Sequence, residues 1–172
     1  MSVSFMNEEC ATLSGSTCRI KISVQKSLVA EVELEYERQT DSVVIHQYDI
    51  KGPKEENKNN WQESQHLVFQ KLNLLAKSAF EDILVFYARE SLYSLLEWIG
   101  SYYNLFTEPC HRCHTRLQFD SPQYKYLPPM VRTWTKKSTS GTTSIIEQSQ
   151  LQNSVGIAYH MRCFIEATKT TI

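Results

Sequence analysis

The chain has 172 residues, a length that suits one medium or two small domains and is enough to bury a core. Hydrophobic residues make up 41% and charged residues 22% of it, and the formal net charge is −1. No segment approaches the dense Lys/Arg stripe that is expected of a surface that follows nucleic-acid phosphates. No apolar stretch reaches the roughly 18 residues that a membrane-spanning helix needs. The opening MSVSFMNEEC lacks the charged start and apolar run of a secretory signal.

The charge is unevenly distributed along the chain. Residues 1–100 carry 10 Lys/Arg against 15 Asp/Glu, a balance of −5, whereas residues 101–172 carry 8 against 4, a balance of +4. A balance of +4 is usual for a solvated surface, and it also permits contact with nucleic acid or with an acidic protein.

Residues 18–50 show the period of two that is typical of half-buried antiparallel strands. Apolar residues alternate with polar ones from Cys18 to Val24. A row of glutamates occupies one face from Ala30 to Glu37, and a third strand is predicted from Ser42 to Ile50. We expect the acidic row to be a solubilising face that pairs with basic residues of the first strand, and residues 1–16 to be a flexible tail.

Two helices are predicted after a polar connector at residues 51–60. Spacings of three and four give the first helix an apolar stripe, formed by Val68, Leu72, Leu75, Ala76, Ala79, Ile83, Phe86 and Tyr87. We predict Ser91 as the N-cap of the second helix. The apolar face of this second helix comprises Leu92, Leu95, Leu96, Ile99 and Tyr103.

Two pairs of candidate metal ligands lie far apart in the chain, each with two residues between its members. Cys110 and Cys113 form the first pair, and His160 and Cys163 form the second. This spacing lets both side chains of a pair reach one ion from a tight turn or from the first turn of a helix. Three thiolates and one imidazole complete a tetrahedral set that is typical of a closed, structural Zn²⁺ site. We therefore expect the metal to hold the carboxy-terminal third together, without Lewis-acid chemistry.

The same residues allow other interpretations. His111 or His114 is an alternative to His160, although the HxxC spacing of His160 repeats that of CxxC. A redox dithiol is less favoured, because that role is typical of a CxxC at the start of a helix after a strand. An odd count of five cysteines fits a disulfide framework poorly. We expect Cys10 and Cys18 to be a loop thiol and a small core residue.

These elements predict an α+β fold with two parts. A small antiparallel β-sheet and a helical pair form a platform over residues 17–104. A zinc-finger-like module with a short helix at the second ligand pair follows over residues 105–172. Residues 138–154 are polar and low in complexity, which predicts a mobile loop between the two ligand pairs.

Four segments follow one another in the chain, namely NNWQESQHLVFQKL, LEWIGSYYNLFTEPCHRC, LPP and YHMRC. In this order they resemble the carboxy-terminal region of the Mediator complex subunit 27 family. The resemblance covers residues 17–168 and is most specific from Trp98 to Cys113. The chain departs from the family before Cys18, where the family has a helical, coiled-coil-forming half, and at the polar insertion at residues 138–154.

The resemblance implies a nuclear, non-enzymatic structural subunit of the Mediator coactivator, which relays signals from DNA-bound activators to RNA polymerase II. It also implies a position where the head and tail modules meet, with other Mediator subunits as partners. The family's zinc ligands correspond to Cys110, Cys113, His160 and Cys163. We expect the subunit interface to be an apolar aromatic surface made of Trp98, Tyr102, Tyr103, Phe106 and Trp134.

The second hypothesis is a zinc-dependent nucleic-acid-binding module. Its phosphate contacts are expected from Arg112, Arg116, Arg132, Lys136 and Lys137. Its stacking surfaces are expected from Tyr124, Tyr126 and Trp134. Enzymatic activity is the least favoured function, because the chain contains no GxSxG, HExxH or Gly-rich phosphate loop.

Overall fold

The structure, a computed structural model, describes five stretches of the chain, which are residues 1–5, 17–40, 42–55, 63–133 and 157–169. The chain divides into two compact units, Met1–Tyr103 and Asn104–Ile172. Helices and a small antiparallel sheet make up the described stretches, which confirms the predicted α+β class. No helix in them combines the length and the hydropathy needed to cross a membrane.

The first unit contains an antiparallel sheet in which consecutive strands are neighbours. The four strands are β1 (Ser2–Phe5), β2 (Cys18–Val24), β3 (Leu28–Glu37) and β4 (Ser42–Lys51). The last three confirm the strands predicted from the period of two. In β2 the alternate residues are buried as that period requires, namely Cys18, Ile20, Ile22 and Val24.

β1 differs from the sequence prediction. The sequence predicts a flexible tail at residues 1–16, but Ser2 pairs opposite Ser23 and Phe5 opposite Ile20. The prediction is wrong for β1 because a four-residue pattern is too short to identify a strand, and the free edge of β2 supplies the backbone partners. Residues 6–16 lie outside the described residues.

The acidic row of β3 is partly buried. Lys21 lies opposite Glu31 and Arg19 lies opposite Glu33, so the basic and acidic rows are in register as predicted. The Arg19 and Glu33 side chains form an ion pair of 3.0 Å. Glu31 is only 9% exposed, so the prediction of a purely solubilising face is wrong at this position.

Cys18 is a core residue, as predicted, at the start of β2. It is also disulfide-bonded, a bond that the odd cysteine count does not predict. The other cysteines among the described residues, Cys110, Cys113 and Cys163, are free. An odd cysteine count therefore argues against a disulfide framework but not against a single bridge. The second cysteine of that expectation, Cys10, lies outside the described residues.

The helix α1 (Leu67–Phe86) packs against β4 through a stripe that overlaps only partly with the predicted one. Its buried residues are Phe69, Leu72, Ala76, Phe80 and Ile83. Phe86, which belongs to the predicted stripe, is 57% exposed. Apolar residues are spread around much of this helix, so spacing alone permits two stripes. The buried stripe contains two aromatic rings, which bury more area than the aliphatic alternatives.

A series of aromatic rings connects the sheet to both helices of the first unit. The second helix, α2, spans Ser91–Gly100. Tyr48 of β4 meets Phe80 edge-on at 4.8 Å, Phe80 meets Trp98 at 5.4 Å, and Trp98 meets Tyr102 at 4.9 Å between ring centroids. Edge-to-face contacts of this kind add to the free energy gained from burial alone.

This arrangement corrects the predicted subunit interface. Trp98 and Tyr102 are 4% and 1% exposed, so they are core residues and not partner surface. Tyr103 and Phe106 are 58% and 50% exposed. Trp134 lies outside the described residues. Sequence spacing places Trp98, Tyr102 and Tyr103 near one another but cannot separate the face that packs on the sheet from the face that meets solvent.

Two polar side chains satisfy backbone groups along the edge of β4. Ser91 is the first residue of α2 rather than its N-cap, which is Glu90. The Ser91 hydroxyl instead accepts a hydrogen bond from the Val43 N–H at 3.2 Å. Asn73 accepts from the Ile50 N–H at 2.9 Å and donates to the Ile50 C=O at 3.0 Å. These bonds satisfy edge-strand groups that otherwise invite pairing with another chain.

A buried carboxylate joins the end of β4 to the segment before α1. Glu55 is 5% exposed and accepts hydrogen bonds from the Gly52 N–H at 3.0 Å, the Ser64 hydroxyl at 2.7 Å and the Gln65 N–H at 2.9 Å. Burial acts to raise the pKa of Glu55, but the hydrogen bonds outweigh burial and lower its pKa below the ordinary value.

Three short strands and helices lie in the part of the second unit that the structure describes. Strands β5 (Val131–Arg132) and β6 (Ala158–Tyr159) form an antiparallel pair, and the helix α3 (Met161–Lys169) follows β6 directly. α3 confirms the short helix predicted at the second ligand pair. The predicted mobile loop at residues 138–154 lies outside the described residues.

We predict that Glu55→Ala lowers the free energy of unfolding by about 1–3 kcal/mol at neutral pH, because three donors lose their acceptor. The ionised form of a group with a lowered folded-state pKa stabilises the fold above the unfolded pKa, about 4.3 for Glu, and this contribution is lost as pH falls through the folded pKa. The difference between variant and wild type should therefore shrink in acid. Urea denaturation at several pH values measures it.

The exposed neighbour Glu63 provides the matched control. Glu63→Ala should leave the free energy of unfolding unchanged. If Glu55→Ala and Glu63→Ala have equal stability at neutral pH, the structural role assigned to Glu55 is wrong.

Candidate metal centre

Cys110 and Cys113 lie in a tight turn after Pro109. The His114 N–H donates to the Cys110 C=O at 2.8 Å, and the Cys110 N–H donates to the Thr115 C=O at 2.9 Å. His114 has a φ of 57°, in the left-handed region, which reverses the direction of the chain. The Cys113 sulfur lies 3.1 Å from the Thr115 hydroxyl.

His160 and Cys163 lie at the start of α3. The His160 C=O accepts the N–H of Phe164 at 2.9 Å, so His160 directly precedes the helix and Cys163 lies in its first turn. The His111 N–H donates to the Ala158 C=O of β6 at 2.8 Å. This backbone bond attaches the first ligand pair to the strand that leads into the second.

The four side chains meet at one point of the second unit. The sulfurs of Cys110, Cys113 and Cys163 and one ring nitrogen of His160 all lie within 4.8 Å of one another. The Cys113 sulfur is 3.3 Å from His160 Nδ1, and the His160 N–H donates to the Cys110 sulfur at 3.4 Å. Ligands at the usual Zn–S and Zn–N distances are separated by about 3.5–3.8 Å in a tetrahedron. The cluster has the donors and the spacing to hold a metal ion.

Burial and hydrogen bonds shift the pKa values of the cluster residues in different directions. Burial raises the pKa of Cys163 to about 12, and the neighbouring thiols act in the same direction. At Cys113 burial opposes ionisation, but hydrogen bonds, first those from Thr115, lower its pKa below the ordinary value. Burial lowers the pKa of His160, which favours the neutral imidazole. Three thiolates in this space repel one another, so full ionisation needs a cation.

The two alternative histidines lie elsewhere. The His111 ring packs against Tyr159 at 5.5 Å between centroids. His114 is exposed on the turn. In the part of the chain that the structure describes, the cluster is the one group of three or more Cys, His, Asp or Glu side chains able to hold a metal, and its histidine is His160.

An ionic clamp surrounds the cluster, formed by Arg112, Asp120, Arg162 and Glu166. Arg112 donates to the Cys163 C=O at 3.4 Å and lies 3.3 Å from the Glu166 carboxylate. Arg162 donates to the same carboxylate at 2.9 Å and lies 3.1 Å from Asp120. The clamp connects the turn of the first ligand pair to α3. An Arg within CxxC and a Glu three residues after the last Cys are its only sequence signals, and both are common.

Those residues proposed for nucleic-acid binding that the structure describes do not form one free basic surface. Arg132 is 7% exposed and donates to the Pro129 C=O at 2.8 Å and to Asn104 Oδ1 at 3.3 Å. Arg112 is paired within the ionic clamp. Arg112 is exposed although it is paired, and Arg116, Tyr124 and Tyr126 are also exposed or half-exposed. The candidates outside the described residues are Trp134, Lys136 and Lys137.

Comparison with known proteins identifies one family and two curated relatives that this chain resembles. The profile of the family described as Mediator complex subunit 27 matches residues 58–164, more than half of the chain, and this range contains all four cluster residues. It is narrower than the predicted resemblance over residues 17–168, because it leaves out β2, β3 and β4.

Two curated relatives carry corresponding names. A Dictyostelium discoideum protein named "Putative mediator of RNA polymerase II transcription subunit 27" is 36% identical over 98 residues, covering 55% of this chain and 21% of that protein. An Arabidopsis thaliana protein named "Mediator of RNA polymerase II transcription subunit 27" is 29% identical over 96 residues, covering 56% of this chain and 21% of that protein. The chain spans about a fifth of the length of these relatives.

Proposed function

Because the chain belongs to the Mediator complex subunit 27 family, we propose that it is a non-enzymatic structural subunit of the Mediator transcription coactivator complex. In this proposal it acts in the nucleus, bridges the head and tail modules and helps to relay activator signals to RNA polymerase II. Other Mediator subunits are its direct partners. The names of the two curated relatives support the assignment to Mediator, and the family resemblance of the ligand segments supports the position between modules.

The proposal divides the chain by role. Residues 17–104 form a platform with a core of its own, and residues 105–172 form a zinc-binding module. The observation that carries this division is the convergence of donors from two segments 47 residues apart, as in the contact of Cys113 with His160. Bound zinc supplies folding free energy directly. The four side chains would supply all the donors of a tetrahedral zinc site, which suits a structural role.

We predict that His160→Asn reduces zinc from one ion per chain to a small fraction, because the remaining three donors leave one position to water. Zinc content is measured by mass spectrometry after gel filtration. The matched control is His114→Asn, since asparagine tolerates the left-handed backbone at that position. Unchanged zinc in His160→Asn, or equal loss in His114→Asn, would contradict the ligand assignment.

The ionic clamp gives a second prediction. Glu166→Gln should weaken zinc binding about two- to fivefold, because exposed ion pairs contribute roughly 0.2–1 kcal/mol each and Glu166 joins two arginines. Competition with a coloured chelator measures the affinity. Glu63→Gln, an equivalent change in the first unit, should have no effect. An unchanged affinity in Glu166→Gln would show that the clamp does not position the ligands.

Membership of the assembly is tested in the complete protein in cells. A tagged protein should co-purify with Mediator subunits from nuclear extract and should cross-link to subunits of both the head and the tail. Purification without Mediator subunits would overturn the proposed function. Co-purification with cross-links to one module alone would overturn the bridging role.

A further inference from the structure

The segment that follows the first ligand pair folds back on itself beside the cluster. The Gln118 N–H donates to the Leu127 C=O at 3.0 Å, and the Tyr126 N–H donates to the Gln118 C=O at 2.6 Å. Gln118 and Leu127 are 4% and 7% exposed, so their side chains form the inner side. We call residues 116–127 the aromatic hairpin.

The outer side of the aromatic hairpin is apolar and open. Phe119 is 60% exposed, Tyr126 is 59% exposed and Leu117 is 41% exposed. The two rings meet at 85° with centroids 5.7 Å apart, so they form a fixed ridge and not two independent side chains. Exposed apolar groups that are clustered in this way mark interaction sites more often than scattered ones do.

The charge around this ridge is positive. Arg116 adjoins Leu117, and the Lys125 ammonium lies 5.0 Å from the centre of the Tyr126 ring. Neither cation has a carboxylate partner in the ion pairs of the described residues. The acid of the hairpin, Asp120, is already neutralised by Arg162 at 3.1 Å, and Arg162 also donates to the Asp120 C=O at 3.2 Å.

We propose that the aromatic hairpin docks an acidic peptide segment of a partner protein, in which Asp or Glu residues alternate with Leu or Phe. The apolar side chains of the peptide cover Leu117, Phe119 and Tyr126, and its carboxylates pair with Arg116 and Lys125. This surface contains none of the four metal donors. Peptide binding is measured on the chain by itself, so its failure leaves the proposed place in Mediator untouched.

An acidic peptide fits this surface better than a nucleic acid does. Base stacking needs an open ring face, whereas Phe119 and Tyr126 are perpendicular and Lys125 lies over the Tyr126 ring. Leu117 adds an aliphatic group that offers no stacking surface. Two cations neutralise few phosphates, which gives a shallow salt dependence and weak binding to nucleic acid.

The test uses fluorescence anisotropy with the zinc-loaded chain and a labelled synthetic peptide of alternating acidic and Leu/Phe residues. Binding should weaken at least about tenfold in the double variant Phe119→Ala, Tyr126→Asn, because truncation of central aromatic residues typically removes most of the affinity. Asparagine is chosen for Tyr126 because its φ is 63°. Tyr103→Ala, an exposed tyrosine in the first unit, is the matched control and should bind like wild type.

A second pair of measurements isolates the charge. Arg116→Gln with Lys125→Gln keeps both rings, and it should weaken binding several-fold and flatten its dependence on salt. A peptide with Asn and Gln in place of Asp and Glu should bind wild type as weakly as the acidic peptide binds this double Gln variant. The proposal would be overturned if the acidic peptide did not bind wild type or if the neutral peptide bound equally well. It would also be overturned if a single-stranded oligonucleotide bound in preference and the acidic peptide could not displace it.

Discussion

The convergence of three sulfurs and one imidazole nitrogen within 4.8 Å is the constraint on which the organisation of the second unit depends. The cluster residues come from the turn after Pro109 and from the start of α3. These two segments are brought together by the strand pair β5–β6 and by one backbone hydrogen bond from His111. Without an ion, three thiols and a neutral imidazole can occupy this space. With an ion, the thiolates it requires are held by its charge, so the folded arrangement and metal binding support one another.

The two units differ in what stabilises them. The first unit has a four-stranded sheet, two helices and a connected series of aromatic rings, and its polar groups at the β4 edge are satisfied by Ser91 and Asn73. In its described residues, 104–133 and 157–169, the second has one two-residue strand pair and a nine-residue helix with no buried residue of its own. A helix of that length does not persist in water without tertiary support. The ionic clamp and the cluster supply that support. This explains why the sequence signal of this unit is its pairs of candidate metal ligands and not the pattern of a large hydrophobic core.

Periodicity predicts most of the sheet and both helices of the first unit, because the alternation in β2 and β3 and the spacing in α1 reflect burial directly. It does not predict β1, whose four residues pair only because the β2 edge is available. It misplaces Trp98 and Tyr102, since the choice between core and surface depends on where Phe80 and Tyr48 pack. The cluster is visible as two spaced pairs because ligand chemistry restricts residue type. The clamp of Arg112 with Glu166 is not visible, because charged residues are common at such positions.

X-ray absorption spectroscopy of the purified chain at the zinc edge tests the central claim most directly. The account predicts one zinc per chain with about three sulfur neighbours near 2.3 Å and one nitrogen neighbour near 2.0 Å. A second unit that stays folded without zinc, or a zinc ion surrounded by oxygen and nitrogen alone, would contradict it.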